Sequence, residues 1–129
     1  MSTLKVDTIQ NTSAQYSSTP LQIEQGRAKA HIEMNGTGTI AIKKSFNISS
    51  IVDNGAGKYH ANLSIKMSST EYCVVGGSAQ MSDRNDNIMG FAPHTATAIR
   101  MYSWNQTGSS TAGEDATFVS AAVFGDLSS

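Results

Sequence analysis

The stretch Lys-Ser-Phe-Asn-Ile-Ser-Ser-Ile-Val-Asp-Asn-Gly-Ala-Gly-Lys-Tyr-His-Ala-Asn-Leu-Ser-Ile-Lys-Met, residues 44–67, decides the fold. In its second half, apolar and polar residues alternate without a break. The apolar residues are Tyr59, Ala61, Leu63, Ile65 and Met67, and the polar residues between them are Lys58, His60, Asn62, Ser64 and Lys66. Successive side chains of a strand point to opposite faces. The alternation therefore predicts a strand with one buried face and one solvated face.

A tight turn precedes this strand at Asp53-Asn54-Gly55-Ala56-Gly57. Asn tolerates a positive φ and Gly adopts it freely, so these residues can reverse the chain without straining a Cβ. Before the turn, Phe46 and Ile48 share one phase and are followed by Ile51 and Val52. We therefore predict that the whole stretch forms a β-hairpin.

Composition limits the class of protein. The chain has 129 residues, nine basic and ten acidic, with a net charge of −1. It lacks the positive field that non-specific nucleic-acid binding uses, and no apolar run is long enough for membrane insertion. The first residues lack the apolar core of a secretory signal, and Cys73 is the only cysteine, which excludes an internal disulfide and a four-thiolate zinc site. These features predict a protein made in a reducing cytoplasm.

Small hydroxyl and amide residues with abundant glycine favour short strands joined by turns, so the composition predicts an all-β protein. Further strands are predicted at 27–34, 72–80, 95–104 and 116–124. Roughly seven or eight strands at this spacing are typical of an antiparallel β-sandwich or a jelly roll, which we predict for residues 27–129. The polar segments 82–94 and 104–115 are predicted to be loops that point outward.

Two of these strands are apolar in both phases. In 72–80 and in 116–124, apolar residues occupy alternate and intervening positions, which predicts that both faces are covered. Such strands are central in a sheet or lie at a contact between subunits. Gly76-Gly77 predicts a bulge or a close backbone approach. Cys73, in the first of these strands, is interpreted as an inert thiol of the core.

Residues 1–26 have few apolar residues, and we predict an extended segment that depends on contacts with other chains or with another protein. The alternative, which stays open, is a frayed terminus. The candidate anchoring and assembly residues are Leu4, Val6, Ile9, Leu21 and Ile23.

The sequence has few motifs that indicate catalysis, nucleotide binding or metal binding. The chain has no nucleophile elbow, phosphate loop or dinucleotide fingerprint. Asp83, Asn85 and Asn87 have the spacing that opens a calcium loop, but Ile88 and His94 replace its glycine and its closing glutamate. We predict no enzymatic activity, no catalytic residue, no cofactor and no resident metal; a calcium ion between chains stays open.

One group of residues is a candidate binding site. Tyr102 and Trp104 stand beside Asn105 and its polar neighbours, and a sugar stacks on such an aromatic ring and bonds to such amides. The alternative is that Trp104 closes one end of the core.

Several blocks resemble tail-fibre proteins of marine phages, cyanophages among them. Residues 1–13, Met-Ser-Thr-Leu-Lys-Val-Asp-Thr-Ile-Gln-Asn-Thr-Ser, resemble the opening of repeats in such fibres. Blocks that resemble their C-terminal domain are Gly-Arg-Ala at 26–28, Asn-Gly-Thr-Gly-Thr at 35–39, Ser-Phe-Asn-Ile-Ser-Ser-Ile-Val-Asp-Asn-Gly-Ala-Gly-Lys-Tyr at 45–59, Tyr-Cys-Val-Val-Gly at 72–76 and Ala-Val-Phe-Gly-Asp at 122–126. The block at 45–59 is the most specific, and residues 81–115 match no part of the pattern.

The resemblance implies a non-enzymatic virion structural protein that forms a homotrimer. This chain departs from the family pattern in two ways. Lys29 stands where an aromatic residue is usual, and the opening motif is followed by the terminal domain with no shaft between them. The first hypothesis is a tail fibre or adhesin that attaches to a host surface glycan. The second is a capsid decoration, a head-fibre or cement protein that clamps neighbouring capsid subunits. A third, a polysaccharide-cleaving enzyme, would need Glu33, Glu71 or Asp115 to form a carboxylate pair.

Overall fold

A computed structural model describes residues 2–79, 87–107 and 110–129, with the backbone alone at 87, 105–107, 110 and 111. These residues form mostly antiparallel strands and one short helix. The strands are β1 Ile9–Gln10, β2 Ser17–Ser18, β3 Ala30–Asn35, β4 Ala41–Phe46, β5 Ile48–Asp53, β6 Lys58–Leu63, β7 Cys73–Ala79, β8 Asn87–Thr95, β9 Ala98–Thr107, β10 Ser110–Gly113 and β11 Phe118–Phe124, and the helix is α1 Pro20–Gly26. The all-β class is confirmed.

Two sheets form the body, and their order in space differs from their order in sequence. The first sheet has the order β4-β3-β11-β7. The second has the order β10-β9-β6-β5, and β8 also belongs to it through its pairing with β9. Among the described strands, β1 and β2 pair with each other and with no third strand. The two larger sheets pack face to face, which gives the sandwich-like character predicted for this region.

The core lies between the two larger sheets. The alternation that decides the fold appears in β6, where Tyr59, Ala61 and Leu63 are buried. β9 places Ile99 and Met101 in the same core. The first sheet supplies the opposing layer, whose buried residues are Ala30, Ile32, Met34, Val119, Ala121 and Val123. The prediction that Ile65 shares the buried face is wrong, because β6 ends at Leu63 and the side chain of Ile65 is 54% exposed.

Asn47 divides the stretch 44–67 between the two sheets. β4 belongs to the first sheet and β5 to the second, so only β5 and β6 form the predicted hairpin. Asn47 has a φ of 55°, which asparagine tolerates better than most residues. Its amide donates to the carbonyls of Lys29 and Ile65, each at 3.0 Å, and its Oδ1 accepts from the Ile65 amide at 2.6 Å. The side chain therefore holds the point at which the chain crosses between sheets.

One end of the sandwich is held by a network around Asp115. The Asp115 carboxylate accepts from the Gly57 amide at 2.8 Å, and the Tyr59 hydroxyl lies 2.9 Å from it. Gly57 has a φ of 64°, and a Cβ there would collide with the carbonyl oxygen of Ser103. Burial and the neighbouring Asp115 raise the pKa of Tyr59 well above its usual value. Glycine in the hairpin turn thus allows the turn to pack on β9.

Residues 20–26 form a helix where the sequence predicts an extended segment. Thr19 caps α1 in a reciprocal capping box with Gln22, and Pro20 occupies the first turn. The buried ammonium of Lys29 donates to the backbone carbonyl of Glu24 and, at 2.6 Å, to the carboxylate oxygen Oε1 of the same residue. Because α1 buries none of its own residues, this ion pair is what ties it to the start of β3.

The predicted outward loops are partly strand. Of 82–94, residues 82–86 lie outside the described residues and the remainder belongs to β8. In 104–115, β9 continues to Thr107 and pairs with β10. The prediction of a loop there is wrong because these small Gly, Ser and Thr residues, although typical of a loop in composition, pair through their backbones in the β9–β10 ladder.

The two doubly apolar strands take different positions. β11 is central in the first sheet, whereas β7 is at its edge. Their register is continuous, so Gly76 is not in a bulge; a Cβ there would meet the Phe91 ring at 2.7 Å. The prediction of a close approach is confirmed. Cys73 is exposed, so its interpretation as a core thiol is wrong.

Candidate functional site

The outer face of the second sheet carries the candidate binding site. Since Ile99, Met101 and Ser103 point into the core, the intervening residues of β9 point outward. These outward residues are Arg100, Tyr102 and Trp104; in register they face His60 and Lys58 of β6 on one side and Ala92, Gly90 and Ile88 of β8 on the other.

Tyr102 and Trp104 form a stacked pair. Their ring centroids are 5.5 Å apart and their planes differ by 5°. Gly90 makes room for them, since it lies opposite Tyr102 and a Cβ there would be 2.9 Å from two atoms of the indole ring. Both aromatic residues are half-buried on the outer face. The alternative in which Trp104 closes one end of the core is therefore wrong.

Basic side chains lie beside the stack. Arg100 is directly opposite His60 in the ladder, and the imidazole of His94 lies 4.6 Å from that of His60, centroid to centroid. Burial lowers the pKa of His60, and the positive charges of His94 and Arg100 lower it further. The Nε of Arg100 is buried and has no hydrogen-bond acceptor among the described residues. No described carboxylate forms an ion pair with this guanidinium.

The sequence identifies only part of this site. Tyr102 and Trp104 lie together as predicted, whereas the side chain of Asn105 lies outside the described residues. Arg100, His60 and His94 were not predicted to meet them. They come from three strands, β9, β6 and β8, and no pattern within any one of these strands marks them as neighbours. Their meeting depends on the register of β6 and β8 against β9, for which the linear sequence has no local signal.

The candidate assembly residues lie mostly in one groove. Leu4, Val6, Ile9 and Ile23 line a depression of about 670 Å³ between the first residues and α1. Leu21 is exposed but lies outside this lining. All five side chains are exposed. The N-terminal segment thus presents apolar surface that the rest of the described chain does not cover.

The outer face of the first sheet is a second uncovered apolar surface. Phe46 is 55% exposed and Val75 47% exposed, and Phe118 and Phe124 are half-buried. The Lys43 ammonium lies 3.8 Å from the centroid of the Phe118 ring. A shallow groove of about 420 Å³ crosses this face between β4 and β7, and its lining includes the charged residues Glu33 and Lys44. We call this surface, defined by these four apolar residues, the apolar face.

Other sites are sparse in the part of the chain that the structure describes. There, no three His, Cys, Asp or Glu side chains come together as a metal site. The calcium-like residues Asp83 and Asn85 lie outside the described residues, as does the side chain of Asn87. In the described ranges, the helical part is too short to cross a membrane.

Comparisons with protein-family models, with curated proteins and with solved structures gave no match for this chain.

Proposed function

We propose that this chain is a non-enzymatic structural protein of a phage virion, of the tail-fibre or adhesin type, that binds a host surface glycan. The observation that carries the glycan part is the half-buried Tyr102–Trp104 stack on the outer face of the second sheet. Aromatic rings with hydrogen-bonding groups at their edge offer a sugar both an apolar face and polar partners. The resemblance of residues 45–59 to fibre C-terminal domains supports the virion part.

We further propose that the chain assembles as a homotrimer through the apolar face. Exposed apolar patches of this kind mark surfaces that other chains cover. Phe46 and Val75 lie on strands at opposite edges of the first sheet, so a partner would cover the whole width of that sheet. We also propose a jelly-roll arrangement for the sandwich, which is the expectation from the number and spacing of its strands.

The glycan part is tested by replacing Trp104 with Ala and measuring binding of the protein to a glycan array and to candidate host cells. We expect a loss of at least about tenfold, since an aromatic contact with a sugar ring is worth roughly 1–3 kcal/mol by analogy with base stacking. The matched control is Tyr16→Ala, which removes an exposed aromatic of the N-terminal segment. Equal binding by both variants would contradict the assignment of this site.

The second candidate function is a capsid decoration, and the observation that favours it is the exposed groove formed by Leu4, Val6, Ile9 and Ile23. Such a groove suits an apolar segment of a neighbouring capsid subunit. Cryo-electron microscopy of the particle separates the two functions. We expect density for this chain on the tail; density on the capsid, together with no binding to host cells, would establish the alternative instead.

A further inference from the structure

We propose that the glycan held at the Tyr102–Trp104 stack is anionic, and that Arg100, with His60 and His94, binds its oxyanion group. This inference rests on the proposed function, because it specifies the ligand class of the same site. The chemistry is that of a carboxylate or a sulfate ester on a sugar ring.

The position of Arg100 supports this assignment. Arg100 and Tyr102 point outward from the same strand two residues apart, a separation of roughly 7 Å along a strand. That distance suits a sugar ring on the aromatic side chain with an exocyclic charged group at the guanidinium. Its neighbours across the ladder are His60 and Ala92, so small and basic side chains surround it.

The state of Arg100 supports it as well. Buried donors in proteins nearly always have an acceptor, yet the Nε of Arg100 has none among the described residues. A guanidinium presents a fork of donors that matches a carboxylate or sulfate in a bidentate manner. An anionic ligand would supply the negative charge that the described side chains around Arg100 do not supply.

His60 makes the site responsive to pH. Arg100 from β9, His94 from β8 and Lys58 from the same strand are the charged or titratable groups on the described face around His60, and β5 adds only Ser50 and Val52. Burial, followed by the neighbouring His94 and Arg100, lowers the pKa of His60 and so opposes its protonation in the free protein. A bound anion would favour it, so binding tightens as the pH falls from 7.5 to 5.5.

The inference is tested first by probing an array of neutral, carboxylated and sulfated glycans with the full chain. The glycan that binds most tightly is then titrated into the protein while the fluorescence of Trp104 is recorded. Trp104 is the only tryptophan, so the signal reports on this site. We expect acidic glycans to bind best and Arg100→Gln to weaken them at least tenfold. Arg100→Lys, which keeps the charge without the fork, should retain part of the affinity. Lys66→Gln, which removes an exposed lysine outside the site, is the matched control.

The outcomes separate the two claims. Preference for carboxylated or for sulfated glycans, with loss in Arg100→Gln, supports the inference and identifies the anion. Equal binding of neutral glycans, unchanged in Arg100→Gln, would overturn the inference and leave the glycan function standing. No binding by a folded wild-type protein would overturn both. Circular dichroism and a melting temperature for each variant exclude loss of fold as the cause.

Discussion

Single residues along a strand determine which side chains each face of a sheet presents. On β9, Arg100, Tyr102 and Trp104 point outward, while Ile99 and Met101 fill the core. A shift of one position in register would exchange these two sets, so the binding face exists only while the core packs correctly. The same residues that could bind a ligand are thus held in place by neighbours that have no role in binding.

His60 makes the stability of the protein sensitive to acid. Its folded-state pKa lies below its usual value of 6.5, because burial and the charges of His94 and Arg100 oppose protonation. As the pH falls through 6.5, the unfolded chain takes up a proton that the folded chain resists, so stability is lost in that window. We expect His60→Gln to reduce the fall in melting temperature between pH 7.5 and 5.5.

The control for this prediction is Asn62→Ala, on the same strand as His60, because it removes a side chain that does not titrate and leaves the imidazole of His60 in place. Asn62→Ala should leave the acid dependence close to that of the wild type. Equal loss of stability by His60→Gln and the wild type on acidification would show that the burial of His60 and the charges around it do not contribute to the acid dependence.

At the scale of elements, the crossing from β4 to β5 depends on the side chain of Asn47. We expect Asn47→Ala to destabilise the protein by about 1–2 kcal/mol, because alanine loses the bonds to Lys29 and Ile65 and disfavours a positive φ. Asn47→Gly keeps the backbone conformation and should cost less. Urea denaturation provides the measurement.

Asn62→Ala is the matched control, since Asn62 bonds only to the exposed Ser50 hydroxyl among the described side chains. We expect its cost to stay within about 0.5 kcal/mol. Equal costs at Asn47 and Asn62 would show that the crossing does not depend on the asparagine side chain.

Elements also show how far the sequence predicts this structure. β6 is predicted because apolar and polar residues alternate strictly along it. The turn before it is predicted because Asn and Gly adopt a positive φ more readily than other residues. α1 is missed because it is seven residues long and buries nothing, although its capping box, Thr19 with Gln22, was a readable signal. β10 is missed because its Ser, Thr, Ala and Gly residues resemble a loop in composition.

The site is predictable to a smaller extent than the fold. Tyr102 and Trp104 share a face because they are two residues apart on one strand, and a sequence shows that directly. Their approach to Arg100, His60 and His94 depends on pairings between β6, β8 and β9, which join residues distant in sequence. Long-range register has no local signal when the outward residues are polar.

For the whole molecule, the two proposed roles belong to opposite faces of the sandwich, glycan binding to the second sheet and self-association to the first. The second sheet presents aromatic and basic groups, and the first presents the apolar face. In the first sheet, β7 and β11 have apolar residues on both sides, more than one layer of core requires. Self-association through the apolar face would cover these additional apolar side chains.

Sedimentation velocity of the wild type and two variants tests the claim that the chain self-associates through the apolar face. Val75→Lys places a charge on the apolar face, and Val52→Lys places the same charge on the second sheet, where Val52 is 41% exposed. We expect the wild type and Val52→Lys to sediment as trimers and Val75→Lys to shift toward a single folded chain. A wild-type protein that sediments as a stable, folded monomer at every concentration would contradict the claim.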